Sequence, residues 1–296
     1  MHPDVAKYYP FESHYLDRDG LNYHYLDEGS GPPLVMLHGN PTWSFYYRNL
    51  VLALRDRYRC VVPDHIGCGL SDKPGDDRYD YTLSRRVDDL ELLLEKLGLG
   101  DEITLILHDW GGMIGMAYAT RHPERIKRFV ILNTAAFHLP VTKRFPLALR
   151  ICRDTAIGSL LVRGFNAFSL AASFVGCKRT PLTPELRRAY RSPYDSWQNR
   201  IATLRFVQDI PIHPEDRNYD LVSAVSAVIE RFQDLPMAIF WGELDFVFDK
   251  NFLAEWERRF PKAELHRYPD AGHYILEDAQ EEVIPLITEF LDRTAI

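Results

Sequence analysis

The sequence predicts an α/β protein: a mostly parallel central sheet with helices on both faces and an inserted helical cap. Three observations predict it. Short apolar runs, each ending in a polar or glycine-containing loop, alternate with stretches whose apolar residues recur every three or four positions. The alternation stops near residue 135 and resumes near residue 232. At 296 residues, with 46% hydrophobic and 26% charged side chains, the chain can bury a large core and is not disordered, collagen-like or coiled-coil in composition.

The first element is a hairpin. Residues 14–27, HYLDRDGLNYHYLD, alternate around Asp19-Gly20, a dipeptide suited to the two positive-φ positions of a tight turn. Buried strands follow at 33–39 (PLVMLHG), 58–64 (YRCVVPD), 103–109 (ITLILHD) and 128–134 (RFVILNT). Helical spacing fills 44–55, 82–97 and 111–121 between them, which implies right-handed crossovers and a parallel sheet. From Phe137 to about Arg231, helical pieces rich in Arg, Phe and Leu are punctuated by prolines, with no strand followed by a helix. This predicts a core segment at 1–134, a helical cap at 135–231 and a second core segment at 232–296. In the last segment come a strand at 236–245, a helix through KNFLAEWERRF, a strand at 263–273 and an amphipathic helix at 280–292.

Lys plus Arg total 35 against 42 Asp plus Glu, a net charge of −7, so there is no global basic field for nucleic acid or an anionic membrane. Cys60, Cys68, Cys152 and Cys177 show no CxxC spacing, which fits a reducing, cytoplasmic setting. The N-terminal stretch lacks the apolar region of a signal peptide, and no run reaches the roughly 18 apolar residues of a membrane span. Without HExxH, Cys/His ligand spacing, a Walker loop or a GxGxxG after a strand, no metal, nucleotide or other cofactor is expected.

Chemistry concentrates at three strand ends. Leu107-His108-Asp109-Trp110-Gly111-Gly112 lies where an apolar strand meets a small-residue helix, the place of a nucleophile elbow. Leu107 is larger than the usual glycine there, and Asp109 could instead cap the helix. As a nucleophile, a carboxylate attacks already ionised. Its product with an sp³ carbon is an ester, whose hydrolysis needs a base to activate water. His273, in PDAGHYILED, and Asp245, in FWGELDFVFD, supply a histidine and its orienting acid in the order Asp109, Asp245, His273. Asp249 reads as a helix cap, and Glu243 could replace Asp245 only by a different loop path. After the strand at 33–39, Asn40 in HGNPTW and Trp110 each add a backbone N–H, expected to form an oxyanion hole, and their amide and indole add side-chain donors. The segment from Asp64 to Ser71 reads as a structural loop, while Arg85, Arg86, Arg187, Arg188 and Arg191 read as solvated helix faces.

HGNPTWSFYYRNL, DHIGCGLSDKP, LHDWGGMIGMAYA, WGELDFVFD and DAGHYILED together resemble the haloalkane dehalogenases of the α/β-hydrolase superfamily over nearly the whole chain. The resemblance implies the α/β-hydrolase fold, with Asp109 as nucleophile, His273 and Asp245 completing a catalytic triad, and Asn40 and Trp110 binding halide. Some members of the family take the acid as a Glu after the preceding strand, which here ends in Asn133. In the cap, NTAAFHLP, FNAFSLAASFVG and SWQNRIATLRFVQDIPI are similar to the third dehalogenase subfamily and to the β-lactone decarboxylases of long-chain olefin synthesis. The first expectation is therefore hydrolysis of a haloalkane to alcohol and halide. Its alternative is decarboxylation of a β-lactone to a cis-alkene. Phe137, Leu147, Phe165, Phe168, Leu170 and Phe174 are expected to close over an apolar substrate, and the cap offers a surface for self-association or for olefin-pathway enzymes.

Overall fold

The computed structural model describes residues 3–295. Its strands are β1 (His14–Asp17), β2 (Asn22–Glu28), β3 (Pro33–Leu37), β4 (Arg59–Pro63), β5 (Ile103–Asp109), β6 (Ile126–Thr134), β7 (Met237–Gly242) and β8 (Glu264–Tyr268). They form one sheet in the order β1-β2-β4-β3-β5-β6-β7-β8. Only the β1–β2 and β2–β4 pairs are antiparallel. The opening hairpin turns where the sequence places it, with Asp19 at φ 56° and Gly20 at φ 77°.

Alternate strand residues serve opposite faces. Val35, Leu37, Leu105 and Leu107 pack with the helices Leu83–Lys96 and Trp110–Arg121, whereas Leu34, Met36, Ile106 and Val130 pack with Arg48–Leu54 and Gln280–Arg293. Helix Leu83–Lys96 shows why these sequences form these elements. Thr82 caps it by accepting the Arg85 N–H, and Leu83, Val87, Leu90 and Leu94 make one buried stripe. Gly98 follows at φ 59°, a conformation that ends the helix.

The strands at 236–245 and 263–273 are shorter than the sequence suggests, ending at Gly242 and Tyr268; the remaining residues form the loops that carry Asp245 and His273. Arg86 does not lie on the solvated helix face expected of it. It is fully buried, with its guanidinium 3.7 Å from the centre of the Phe206 ring, because a cation desolvated by Phe206 and facing Asp209 needs no solvated helix face.

Between β6 and β7 the described residues form helices and no strand. These include Leu147–Asp154, Ala156–Ser159, a π-helical turn at Leu160–Gly164, Ala167–Val175, Pro184–Arg191, Ile201–Gln208 and Tyr219–Val228. The last packs on Trp110–Arg121 through Val222 and Val225, so this end of the insertion is part of the core.

Candidate active site

β5 ends at Asp109 and the next helix begins at Trp110. The reversal falls on Asp109, whose φ of 51° and ψ of −127° cost a residue with a side chain about 1–3 kcal/mol. Neighbouring glycines make room for it. A Cβ on Gly111 would strike the Leu37 carbonyl oxygen, and one on Gly39 would overlap the Asp109 carboxylate itself. Although Asp109 occupies the N-cap position, its side chain makes no capping bond. The carboxylate lines an apolar cavity instead.

Its two oxygens have different surroundings. Oδ1 accepts the Asn40 backbone N–H at 2.7 Å, while Oδ2 lies 3.4 Å from His273 Nε2. The backbone donor read from the sequence as part of an oxyanion hole is thus directed at Asp109's own carboxylate. His273 Nδ1 lies 2.7 Å from Asp245 Oδ2. Of the three acids considered for this place, Asp245 alone touches the histidine: Asp249 accepts the Asn251 N–H as a helix cap, and Glu243 faces Arg267.

Two residues that the sequence did not single out for roles hold this arrangement. At the β5–β6 register break, His108 pairs with Leu132 and Asp109 with Thr134, which leaves Asn133 bulged out at φ 32°. Its amide donates to Asp245 Oδ2 and to the Gly242 carbonyl, both at 3.0 Å, and accepts the Gly242 N–H at 2.8 Å. Val247 N–H occupies Asp245 Oδ1. His108 is the second: its Nε2 is 2.9 Å from the His273 carbonyl oxygen, and its ring stacks on Tyr46. With a carbonyl as partner, that nitrogen must be the donor. The strand-end position of both residues was visible in the sequence, but no spacing marks such cross-strand contacts.

Electrostatics favour an ion pair at the centre. Burial alone would lower the His273 pKa, but Asp245 and Asp109 on either side outweigh it and push it up to about 10. Burial likewise opposes charge on Asp109, and the His273 hydrogen bond and charge together with the Asn40 N–H hold its carboxyl below the usual range. His108 is pushed down to about 3 by burial and by the His273 charge, so it stays neutral. Asp109 is therefore a carboxylate and His273 an imidazolium at neutral pH.

The cavity measures about 170 Å³ and is lined mainly by apolar residues, including Met113, Leu149, Phe168 and Val207, with Asn40 and Trp110 beside Asp109. Asn40 gives one amide hydrogen to the Thr203 carbonyl at 3.0 Å, so that part of its donor capacity binds the cap. The Trp110 ring leans on Phe206 with centroids 5.3 Å apart, and its indole N–H makes no hydrogen bond among the described residues. Phe137 and Phe168 line the cavity as expected; Leu147, Phe165, Leu170 and Phe174 are exposed instead, since their helices turn Leu149, Phe168 and Ala172 inward. Two tyrosines of the inserted helices point away from Asp109, Tyr190 donating to Glu277 and Tyr194 to the Thr42 carbonyl.

Comparisons with known proteins agree with this architecture. Residues 32–150 match the family model described as the alpha/beta hydrolase fold. A cis-3-alkyl-4-alkyloxetan-2-one decarboxylase from Shewanella oneidensis is 61% identical over 285 residues, covering 96% of this chain and 90% of the relative. Its counterpart from Xanthomonas campestris pv. campestris is 49% identical, covering 97% of this chain and 98% of the relative. Among solved structures, a haloalkane dehalogenase from Agrobacterium tumefaciens C58 superposes with a TM-score of 0.83 at 25% identity, covering 96% of this chain and 97% of that one. The chain belongs to the α/β-hydrolase family that contains the haloalkane dehalogenases and the cis-3-alkyl-4-alkyloxetan-2-one decarboxylases.

Proposed function

We propose that this chain decarboxylates long-chain cis-β-lactones to cis-alkenes and carbon dioxide, with Asp109 as the attacking group. The observation that carries the reading is the 61% identity to an oxetan-2-one decarboxylase across 96% of the chain. Dehalogenation, the first expectation from the sequence, shares the attack step and differs in what becomes of the ester.

The chemistry needs only groups that are present. Asp109 Oδ2 attacks C4 of the lactone from the side opposite the ring oxygen; the C4–O bond breaks and its electron pair stays on the ring oxygen, which becomes a carboxylate. Trp110 and the free amide hydrogen of Asn40 donate to that developing charge in an apolar cavity, where a donor acts most strongly. The C3–carboxylate bond then breaks, its pair forms the C3–C4 double bond, and Asp109 leaves with the electrons of its ester bond. His273, as an imidazolium, stabilises the departing carboxylate. Inversion at C4 followed by anti elimination converts a cis-lactone into a cis-alkene. No water or proton is consumed, whereas hydrolysis of an alkyl ester requires both a water and a neutral base.

The direct test is to compare kcat/KM for a long-chain cis-β-lactone and a long 1-bromoalkane, following alkene and bromide in parallel. Alkene formation is expected to exceed bromide release by at least about tenfold, which is about 1.4 kcal/mol of transition-state discrimination. Dominant bromide release would return the reading to dehalogenase. Trp110→Phe keeps the ring but removes the indole donor, and is expected to lower kcat on the lactone by roughly 10–100-fold with little change in thermal midpoint. An unaltered kcat would remove Trp110 from the site chemistry.

A further inference from the structure

We propose that the outer face of the cap between Val141 and Lys178 is a docking surface for an anionic lipid bilayer. Composition first sets this stretch apart. Residues 135–182 contain Lys143, Arg144, Arg150, Arg153, Arg163, Lys178 and Arg179 against the single acid Asp154, a local charge of +6 in a chain of −7. Acids from outside the stretch meet three of these cations, Lys143 with Asp249, Arg153 with Asp216 and Arg179 with Asp270 and Glu282, and the others keep the excess positive.

Apolar side chains are exposed on the same stretch. Of fifteen large hydrophobic residues that are exposed among the described residues, nine lie between Val141 and Phe174. Leu147 is 71% exposed, Ile157 67% and Phe165 69%. Their elements form a continuous surface: Leu147–Asp154 packs on Ala156–Ser159, which packs on the Leu160–Gly164 turn, which packs on Ala167–Val175. Scattered single hydrophobics are ordinary on a protein surface, but a contiguous group on one face marks an interaction site.

The cations supply the identity of the partner. Arg144, Arg150 and Lys178 make no ion pair among the described residues, so they remain available beside the exposed Leu147 and Phe174. Unpaired cations bordering apolar side chains match a surface that is negative outside and apolar beneath, as in a headgroup layer over acyl chains. The geometry suits lying on a bilayer and not crossing it. No single described helix is long and apolar enough to span; Ala156–Gly164 and Ala167–Val175 pass together only as a pair bent by 70°. The inner side of the same elements lines the cavity through Pro146, Leu149, Phe168 and Ala172, so a docked cap places the cavity wall against the lipid. The inference rests on the cap surface alone and holds whichever substrate Asp109 attacks.

The test is flotation of the full chain with vesicles of phosphatidylcholine alone or with about one third phosphatidylglycerol. The bound fraction is expected to be at least about fivefold higher on the anionic vesicles and to fall in high salt. Two double variants separate the contributions: Arg144→Glu with Arg150→Glu, and Leu147→Ser with Phe165→Ser. Each is expected to lower anionic-vesicle binding at least about fivefold, while turnover of detergent-dispersed substrate is unchanged. Absence of vesicle binding, or equal binding to both vesicle types, overturns the proposal. So does sedimentation showing that the apolar double variant dissociates an oligomer while vesicle binding persists, because the face would then belong to a second copy of the chain.

Discussion

Asp109→Asn is expected to abolish alkene formation from a long-chain cis-β-lactone, by on the order of 10⁴-fold or more in kcat. Asn retains the size of Asp and tolerates the positive φ at the end of β5, so the elbow is expected to survive. A neutral amide, however, neither attacks C4 effectively nor departs as a stabilised anion. Incubating His273→Ala with a long 1-bromoalkane and measuring intact mass is expected to reveal one alkyl group on the chain; the Asp109→Asn, His273→Ala double variant is expected to show none. If Asp109→Asn kept alkene formation within tenfold of the wild type, Asp109 would not be the attacking group. The same substitution removes one of the two carboxylates flanking His273, so the histidine would hold its proton less tightly.

The second large effect is expected from His273→Ala, and its outcome depends on the substrate. With a bromoalkane, the ester on Asp109 can be released only by an activated water, so one alkyl group per chain should accumulate and turnover should stop. With the cis-β-lactone, breaking the C3–carboxylate bond frees Asp109 without water. Alkene formation is therefore expected to slow by roughly 10²–10³-fold, through loss of the imidazolium beside the leaving carboxylate, yet to continue past one turnover. A lactone-derived adduct accumulating one per chain would contradict this route. His273 also gives the wild type a pH signature. Because its folded pKa lies near 10, above an unfolded value of about 6.5, the stability that it contributes is fully present below pH 6.5 and is lost as pH rises towards 10. His273→Ala should remove that component from the pH dependence of the thermal midpoint.

The parts of this protein that the sequence revealed are those governed by local rules. Period-2 and period-3.6 spacing located the strands and core helices, and the Asp19-Gly20 turn required two residues tolerant of positive φ. Asp109 stood out because small residues must follow such a sharp reversal, and Asp249 because it precedes a helix as a cap. What the sequence did not reveal depends on distant packing. Nothing near Asn133 indicates that it meets Asp245, 112 positions later, and nothing near His108 indicates the His273 carbonyl. Arg86 looks like a solvated helix charge until Phe206, far along the chain, covers it. The cap misled for a related reason: Phe168 and Phe165 are equivalent by composition, and only the turn at Asn166 sends one inward and the other out.

The bulge at Asn133 has a consequence for how such sites diverge. Its amide lies 3.0 Å from the carboxylate oxygen that His273 uses, so the ends of β6 and β7 converge on one point beside the imidazole. A carboxylate introduced at 133 would arrive where Asp245 already is, and two like charges that close cannot both stay ionised. The acid can therefore migrate between neighbouring strands only as an exchange, one position gaining the charge as the other gives it up. The order of the acid along the chain then becomes a matter of descent and not of geometry.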